Sequence, residues 1–411
     1  MRRLAGGAGG RPFATLARIG GYHIPMRRKI LSVVGARPNF MKIAPLLRAF
    51  GNPPGRFESV LVHTGQHYDA SMSDVFFGQL GMAAPQIQLG IGPGSQGAQT
   101  GRIMAALESV VDEQRPDLVL VVGDVNSTLA ATLVAAKAGV PVAHVEAGLR
   151  SFDRRMPEEI NRIVTDTLAT FLFATEEDGV VNLRREGIGE DRIFLVGNVM
   201  IDTLLTLLPV IRERRMAAEL GLTPGAYGVV TLHRPANVDD EATLERMLAA
   251  LERIGARLPL VFPAHPRTVA QLARSGRHDN RAGSAIRIVD PLPYVEFISL
   301  VSEARLVLTD SGGIQEETTV LGVPCLTLRD NTERPVTIQM GTNRLVGTDP
   351  EAAVRAAEEV LAERPPVPAM PPLWDGKAAE RIAAILDDHD WQAYEAGPRR
   401  DVTGVAPGAA R

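Results

Sequence analysis

The residues of this chain that could do chemistry sit in short polar strings, each placed just after an apolar run. The sharpest is Thr309-Asp-Ser-Gly-Gly-Ile-Gln-Glu-Glu317. A strand ending in Thr309-Asp310 would open through Ser311, Gly312 and Gly313 straight into a helix. Glycines let a ligand approach the backbone, and the free N–H groups and dipole of a helix N-terminus favour a phosphate. A serine N-cap with two turn glycines would give the same string without any ligand. The spacing is neither a Walker loop nor a G-x-G-x-x-G fingerprint, which weighs against nucleoside-triphosphate hydrolysis and nicotinamide binding.

The other strings are Gly35-Ala-Arg-Pro38 with Lys42, His63 to Asp69, Gly123 to Thr128, His144 to Arg150, His233 to Asn237 and Asp330 to Arg334. Glu146 ends an otherwise apolar strand, where a carboxylate is costly without partners. Asp124 could act on a substrate or merely cap the helix predicted over Ser127–Ala138. Glu158 and Arg162 lie four apart on one predicted helix, so an i,i+4 ion pair is the simplest reading. Met156-Pro157, however, starts that helix beside a cleft loop. His63, His144, His233 and His265 lack the H-E-x-x-H form of a zinc site, and hydrogen-bonded core positions suit His63 and His144. Cys325 falls inside a strand and reads as core. No G-x-S-x-G elbow is present, which weakens a serine-hydrolase reading.

Positioning these strings falls to a regular alternation. Apolar strands predicted at Lys29–Gly35, Phe57–Thr64, Leu118–Val122, Pro141–Val145, Leu172–Ala174 and Ile193–Val196 are separated by helical segments. Solid apolar strands alternating with helices mean parallel sheets covered on both faces. The pattern restarts after a helix at Ile201–Leu220, which Pro209 is expected to kink or split. Strands follow at Gly228–Leu232, Pro259–Pro263, Ile286–Val289, Leu306–Thr309 and Pro324–Leu328. The expected class is therefore α/β, two doubly wound Rossmann-like domains facing across a cleft, with ligands beyond the strands' carboxyl ends. The expected division is a disordered or non-native extension over 1–27, domains at 28–200 and 201–372, a returning helix in 373–396, and a flexible tail at 397–411.

Composition narrows the function. With 44 Lys+Arg against 48 Asp+Glu and no long block of one sign, neither nucleic acid nor an anionic membrane is the expected partner. No apolar run nears the roughly 20 residues of a membrane span. A single cysteine excludes an intramolecular disulfide framework and a Cys-cluster zinc site, and suits the cytoplasm. No metal or other cofactor is expected.

Taken together, the strings resemble the non-hydrolysing UDP-N-acetylglucosamine 2-epimerases, from Lys29 to about Leu386. The motifs carrying the resemblance are Gly35-Ala-Arg-Pro38 with Lys42, Thr64-Gly-Gln-His67, Gly123-Asp124, His144-Val-Glu-Ala-Gly-Leu-Arg150, Pro157-Glu-Glu-Ile-Asn-Arg162, Thr231-Leu-His-Arg234, the Thr309–Glu317 string and Arg329-Asp-Asn-Thr-Glu-Arg-Pro335. The resemblance implies a glycosyltransferase-B type fold, a homodimer, and inversion at C2 of a UDP-sugar without metal or nicotinamide. It implies that UDP leaves C1 as the C2 proton is removed, and re-adds while a proton returns to the other face. By position, Arg37, Lys42, His233, Ser311, Gly312, Gly313 and Arg334 would surround the diphosphate and sugar, with His233 also in the catalytic set. Glu317 would take the ribose hydroxyls, Asp124, Glu146 and Glu158 would form the acid/base set, and Arg162 would steady them.

Two departures from the family pattern bear on substrate and regulation. His233-Arg-Pro-Ala-Asn237 replaces the His-Arg-Arg-Glu-Asn of many members. Gln66-His-Tyr-Asp69 replaces a Gln-His-Arg that in some helps hold an activating second UDP-sugar; Gln66, His67 and Arg102 are the candidate remnants of such a site. The Tyr-Asp form also resembles a branch acting on UDP-2,3-diacetamido-2,3-dideoxyglucuronate. A hydrolysing relative and a glycosyltransferase of the same fold are the competing enzyme readings.

Overall fold

The computed structural model describes residues 16–19, 22–25, 27–51, 57–66, 77–264, 268–269, 271, 285–363, 369–389 and 391. The first sheet has seven parallel strands in the order β5-β4-β3-β6-β7-β8-β9. These are β3 (Arg28–Val34), β4 (Phe57–His63), β5 (Ile87–Gln88), β6 (Leu118–Val122), β7 (Val142–Ala147), β8 (Phe171–Ala174) and β9 (Ile193–Leu195). The second has six, ordered β12-β11-β10-β13-β14-β15. Its strands are β10 (Gly228–Thr231), β11 (Leu260–Pro263), β12 (Ile286–Val289), β13 (Leu306–Thr309), β14 (Cys325–Thr327) and β15 (Asn343–Leu345). Each sheet winds outward one way and then the other. The order reverses between β3 and β6 in one and between β10 and β13 in the other, which is where such sheets bind ligands.

The solid apolar strands follow from two-sided burial. Along β6, Leu118, Leu120 and Val122 enter one core while Val119 and Val121 enter the other. Val230 and Leu308 likewise face one core of the second half, with Val229 and Val307 on the opposite face.

Between the sheets runs the helix Val199–Arg214. Pro209 lies inside it without splitting it; the break comes at Arg215, in the left-handed region at φ 46°, before a short helix Met216–Glu219. The last helix, Ala378–Asp388, packs Ile382 and Leu386 into the first half's core, joined by Trp391. Ala378 and Ala379 donate their N–H groups to Asp202, and the Arg28 guanidinium lies 4.2 Å from the Trp391 ring centre. Trp374 adds a bond from its indole N–H to the Thr175 carbonyl.

Five elements differ from the sequence reading. β1 (Leu16–Ile19) and β2 (Tyr22–Pro25) pair as a separate antiparallel ribbon inside the stretch expected to be disordered or non-native. The helix Gln96–Gln114 starts four residues before the expected Thr100, behind Ser95 rather than after the glycine loop. β5 and β15 are two and three residues long, too short to show an apolar period. Of the helix expected over Thr268–Ser275 only Thr268, Val269 and Gln271 are described, and they are helical; the first part of that expected over Ser71–Gly81 and the tail at 397–411 lie outside the described residues. No helix among the described residues is long and apolar enough to cross a membrane.

Candidate active site

The first half contributes carboxylates. β6 ends at Gly123, whose φ of +68° turns the chain into Asp124. A Cβ at Gly123 would lie 2.9 Å from Lys42 Nζ, so glycine is required there. Val125, not Asp124, is the N-cap of the following helix, and the Asp124 carboxylate accepts from Arg162 Nη2 at 2.6 Å. Capping is therefore not its task. Burial pushes Asp124 toward neutrality, but Arg162, then Lys42 and Arg334, outweigh it and hold the carboxyl below its ordinary range.

Glu146 stands at a bulge in β7, where register with β8 shifts between Val145 and Ala147. Its φ is +77°, a conformation that costs a non-glycine residue about 1–3 kcal/mol. The turn delivers both carboxylate oxygens to cations. Lys42 Nζ donates to Oε2, and Arg334 Nη2 donates to Oε1 at 2.6 Å. All three side chains are buried. Charge-assisted bonds of this kind offset the strain and the desolvation.

Arg162 does not pair with Glu158 as the i,i+4 spacing predicts. Its Nη1 donates to Glu159 at 2.8 Å, three residues back, and its Nη2 to Asp124. Glu159 is oriented by two further donors, the N–H groups of Ser151 and Phe152, both at 2.9 Å. Glu158 is half-buried beside this cluster, and its charge is felt by Arg234.

The second half contributes cations and a helix start. Arg334 is the hub: besides Glu146 it reaches Glu316 at 2.8 Å and Glu333 at 3.5 Å. The Glu316 contact is an ion pair out of line for a hydrogen bond. A Cβ at Gly312 would come within 2.6 Å of Arg334 Nη1, so that glycine makes room for the guanidinium. Arg329 grips Glu333 with two bonds of 3.0 and 2.7 Å. Although burial opposes it, Arg329 with Arg334 holds the Glu333 carboxyl far below the usual range.

At the end of β10, His233 lies half exposed with Nδ1 2.9 Å from Asp310. Buried Asp310 also accepts from the N–H groups of His233 and Arg234 and from the Asn237 amide. His233, Arg234 and Thr309 thus tie the β10 loop to the start of the helix Gly312–Leu321. Ser311 is the N-cap by position but its side chain makes no capping bond, leaving Gly312 and Gly313 N–H groups at the helix start. Glu317 is buried further along, accepting from the Tyr294 hydroxyl at 2.8 Å, and burial pushes its carboxyl up to about 8.

Two acids here went unread in the sequence. Glu176, just after β8, has both carboxylate oxygens buried without a hydrogen-bond partner, and burial followed by Glu316 pushes it well above its ordinary range. Glu316 is itself raised by burial, with Arg334 opposing and Glu146 adding. Its position after a strand was the available signal for Glu176, but an acid before a helix reads as a cap. Arg37 begins the helix Arg37–Gly51 and is exposed at the cleft end of β3. Gln66 turns its side-chain oxygen to Ser127 at 2.8 Å, and exposed Arg102 donates to the Pro93 carbonyl. His67 and His265 lie outside the described residues. Cys325 is buried, with its thiol pushed up to about 11 by burial. Among the described residues no group of three His, Cys, Asp or Glu is placed to hold a metal ion.

Fold and site together define a two-sheet α/β enzyme whose cleft sets carboxylates against arginines at paired reversal points. Residues 52–387 match the family model for UDP-N-acetylglucosamine 2-epimerase. The UDP-N-acetylglucosamine 2-epimerase of Methanocaldococcus jannaschii is 41% identical over 364 residues, covering 87% of this chain and 98% of that one. The UDP-2,3-diacetamido-2,3-dideoxy-D-glucuronate 2-epimerase of Pseudomonas aeruginosa is 42% identical over 339 residues, covering 82% and 93%. A crystal structure of the M. jannaschii UDP-GlcNAc 2-epimerase in complex with UDP-GlcNAc and UDP superposes with a TM-score of 0.81, at 40% identity and covering 88% of this chain and 100% of that one. The chain belongs to the UDP-N-acetylglucosamine 2-epimerase family: it is a UDP-sugar 2-epimerase, an isomerase, with a glycosyltransferase-B-like fold.

Proposed function

We propose that this enzyme interconverts UDP-N-acetylglucosamine and UDP-N-acetylmannosamine, by elimination and re-addition of UDP with proton exchange at C2. The C2 proton is not α to a carbonyl, so a base alone would not remove it. Breaking the C1–O bond in the same process, with its electron pair leaving on UDP, makes the loss feasible. The site then needs cations for the diphosphate, an acid and a base on opposite faces, and a cleft that retains both fragments.

The observation that carries this reading is the hold of Lys42 and Arg334 on Glu146. A diphosphate seated on those cations competes with Glu146 for them. As it binds, Glu146 is released from Lys42 and Arg334 toward the sugar; as UDP withdraws, those contacts re-form. Asp124 is tied to Arg162 instead. The two carboxylates thus take their direct hydrogen bonds from different cations, Glu146 from Lys42 and Arg334 and Asp124 from Arg162. Glu158 and His233 line the same cleft. Arg37 and the Ser311–Gly313 helix start complete the phosphate side, and Glu317 is the partner for ribose hydroxyls.

The P. aeruginosa relative, as similar as the M. jannaschii one, supports a second reading in which the substrate is the diacetamido-glucuronate. Incubation of each UDP-sugar in D2O, followed by mass and NMR analysis of recovered sugar, tests both. Deuterium at C2 of one substrate identifies it. Recovery of both unlabelled would sink the proposal, and free UDP accumulating with product would favour hydrolysis.

A further inference from the structure

His144 lies in the middle of β7 with no exposed surface, and neither of its ring nitrogens is idle. Nδ1 is 2.6 Å from Asp166 Oδ1, and Nε2 is 2.9 Å from the Gly123 carbonyl oxygen. A peptide carbonyl can only accept. The Asp166 carboxylate is also committed as an acceptor: its second oxygen takes the Gly148 N–H at 3.0 Å and is ion-paired with Arg150 Nη1 at 2.7 Å. Nε2 must therefore carry a hydrogen, and opposite an Asp166 carboxyl held below its ordinary range Nδ1 donates as well. Asp166 supplies the charge that makes this tolerable in a dry core. Arg150 is balanced in turn by Glu186, through bonds of 2.8 and 2.6 Å. The four groups sum to zero charge.

The Gly123 carbonyl belongs to the peptide that leads into Asp124. The Gly123 N–H, in the peptide before it, is held by the Val145 carbonyl at 3.1 Å, and the Asp124 carbonyl, in the peptide after it, by Asn161 at 2.8 Å. Only the Gly123 carbonyl depends on a charged donor. We propose that His144 is a positioning residue for Asp124: anchored on Asp166, it holds the Gly123 carbonyl and so sets the direction in which the Asp124 carboxylate enters the cleft. Through Gly148 and Arg150 the same Asp166 steadies the loop leading to Glu158 and Glu159, so one buried network sets both acid-bearing loops. The inference rests on the reading of Asp124 as a catalytic acid or base.

Two substitutions separate positioning from mere packing. A glutamine amide nitrogen reaches the place of Nε2, whereas an asparagine amide reaches that of Nδ1. His144→Gln keeps the donor to Gly123, and His144→Asn keeps the donor to Asp166 while abandoning Gly123. Misplacing a reacting group by about 1 Å costs about 100-fold, so His144→Asn is expected to lose kcat on that scale. His144→Gln should stay within about fivefold of the parent, even where its Tm falls as far. UDP affinity should hold in both. Equal kcat losses in the two variants, or full activity in His144→Asn, would overturn the proposal. Independently of whether either variant folds, the 15N spectrum of histidine-labelled parent enzyme at neutral pH should show both His144 ring nitrogens protonated; a neutral ring would also overturn it. Asp124→Asn with undiminished kcat would instead remove the catalytic reading of Asp124, leaving the ring spectrum to judge the anchoring.

Discussion

At the reversal point of the first sheet the chain turns into Asp124, with Glu146 on the neighbouring strand; at that of the second it presents His233 and the helix start at Ser311–Gly313. The winding order is the same in both halves, but the groups at the two reversal points differ. The first offers Asp124 and Glu146, the second the helix-start N–H groups, with Arg334 beside them, and the contact between Arg334 and Glu146 is where the halves meet. A scaffold of this kind fixes where groups converge but not their charge. The arrangement suits a reaction that expels a polyanionic diphosphate and whose carbon acid needs a base.

That comparison breaks most readily at Glu146. Glu146→Gln should lower kcat about 1,000-fold, within the range for loss of an acid or base, while UDP affinity rises because the diphosphate no longer competes for Lys42 and Arg334. A parallel fall in UDP affinity would mean Glu146 serves only to hold the cations.

Arg334 tests the opposite half. Arg334→Ala leaves Glu146, Glu316 and Glu333 without a shared cation. Removing one member of a buried ionic group costs about 3–5 kcal/mol, so both Tm and UDP affinity should fall. Adding Glu316→Gln to that variant should recover part of the Tm and none of the affinity. Recovery of affinity would show that Arg334 acts on the protein's own acids rather than on the diphosphate.

The buried acids predict an unusual pH response. The folded chain holds the Glu317 proton up to about 8, whereas the unfolded chain releases it near the ordinary value of 4.5. Between those values the folded state binds more protons, so stability from this group is full at the acid end and declines as pH rises toward 8. Glu316 and Glu176 act in the same direction. Glu333, Asp310 and Asp124, all held below their ordinary range, act oppositely and lose their contribution on acidification. Thermal unfolding across this range should therefore show Tm declining toward alkaline pH, and Glu317→Gln should flatten the decline; an unchanged slope would refute the assignment.

The smallest effect is expected at Glu176. As a neutral carboxyl without partners it can be replaced by glutamine with kcat within about twofold and a slightly higher Tm at alkaline pH. A tenfold or greater loss of kcat would make it a proton carrier and add one residue to the first half's acids.

Much of this was legible in the residues. Solid apolar strands alternating with helices are hard to mistake, and the strings after them named Lys42, Asp124, Glu146, Arg162 and Arg334, which the fold gathers into one cluster. What escaped was decided at longer range. Whether Arg162 takes Glu158 or Glu159 is settled by the Ser151 and Phe152 N–H groups, which turn Glu159 inward. The positive φ of Glu146 follows from the bulge against β8, which no local pattern announces. The acidity of Glu176 depends on a neighbour from the other half of the molecule.

The chain passes between the halves twice, once through the helix Val199–Arg214 and again ahead of Trp374, before its last helix is pinned by Asp202. Two covalent crossings leave the halves fewer relative placements than one would. The Glu146–Arg334 contact lies across the seam that both crossings span.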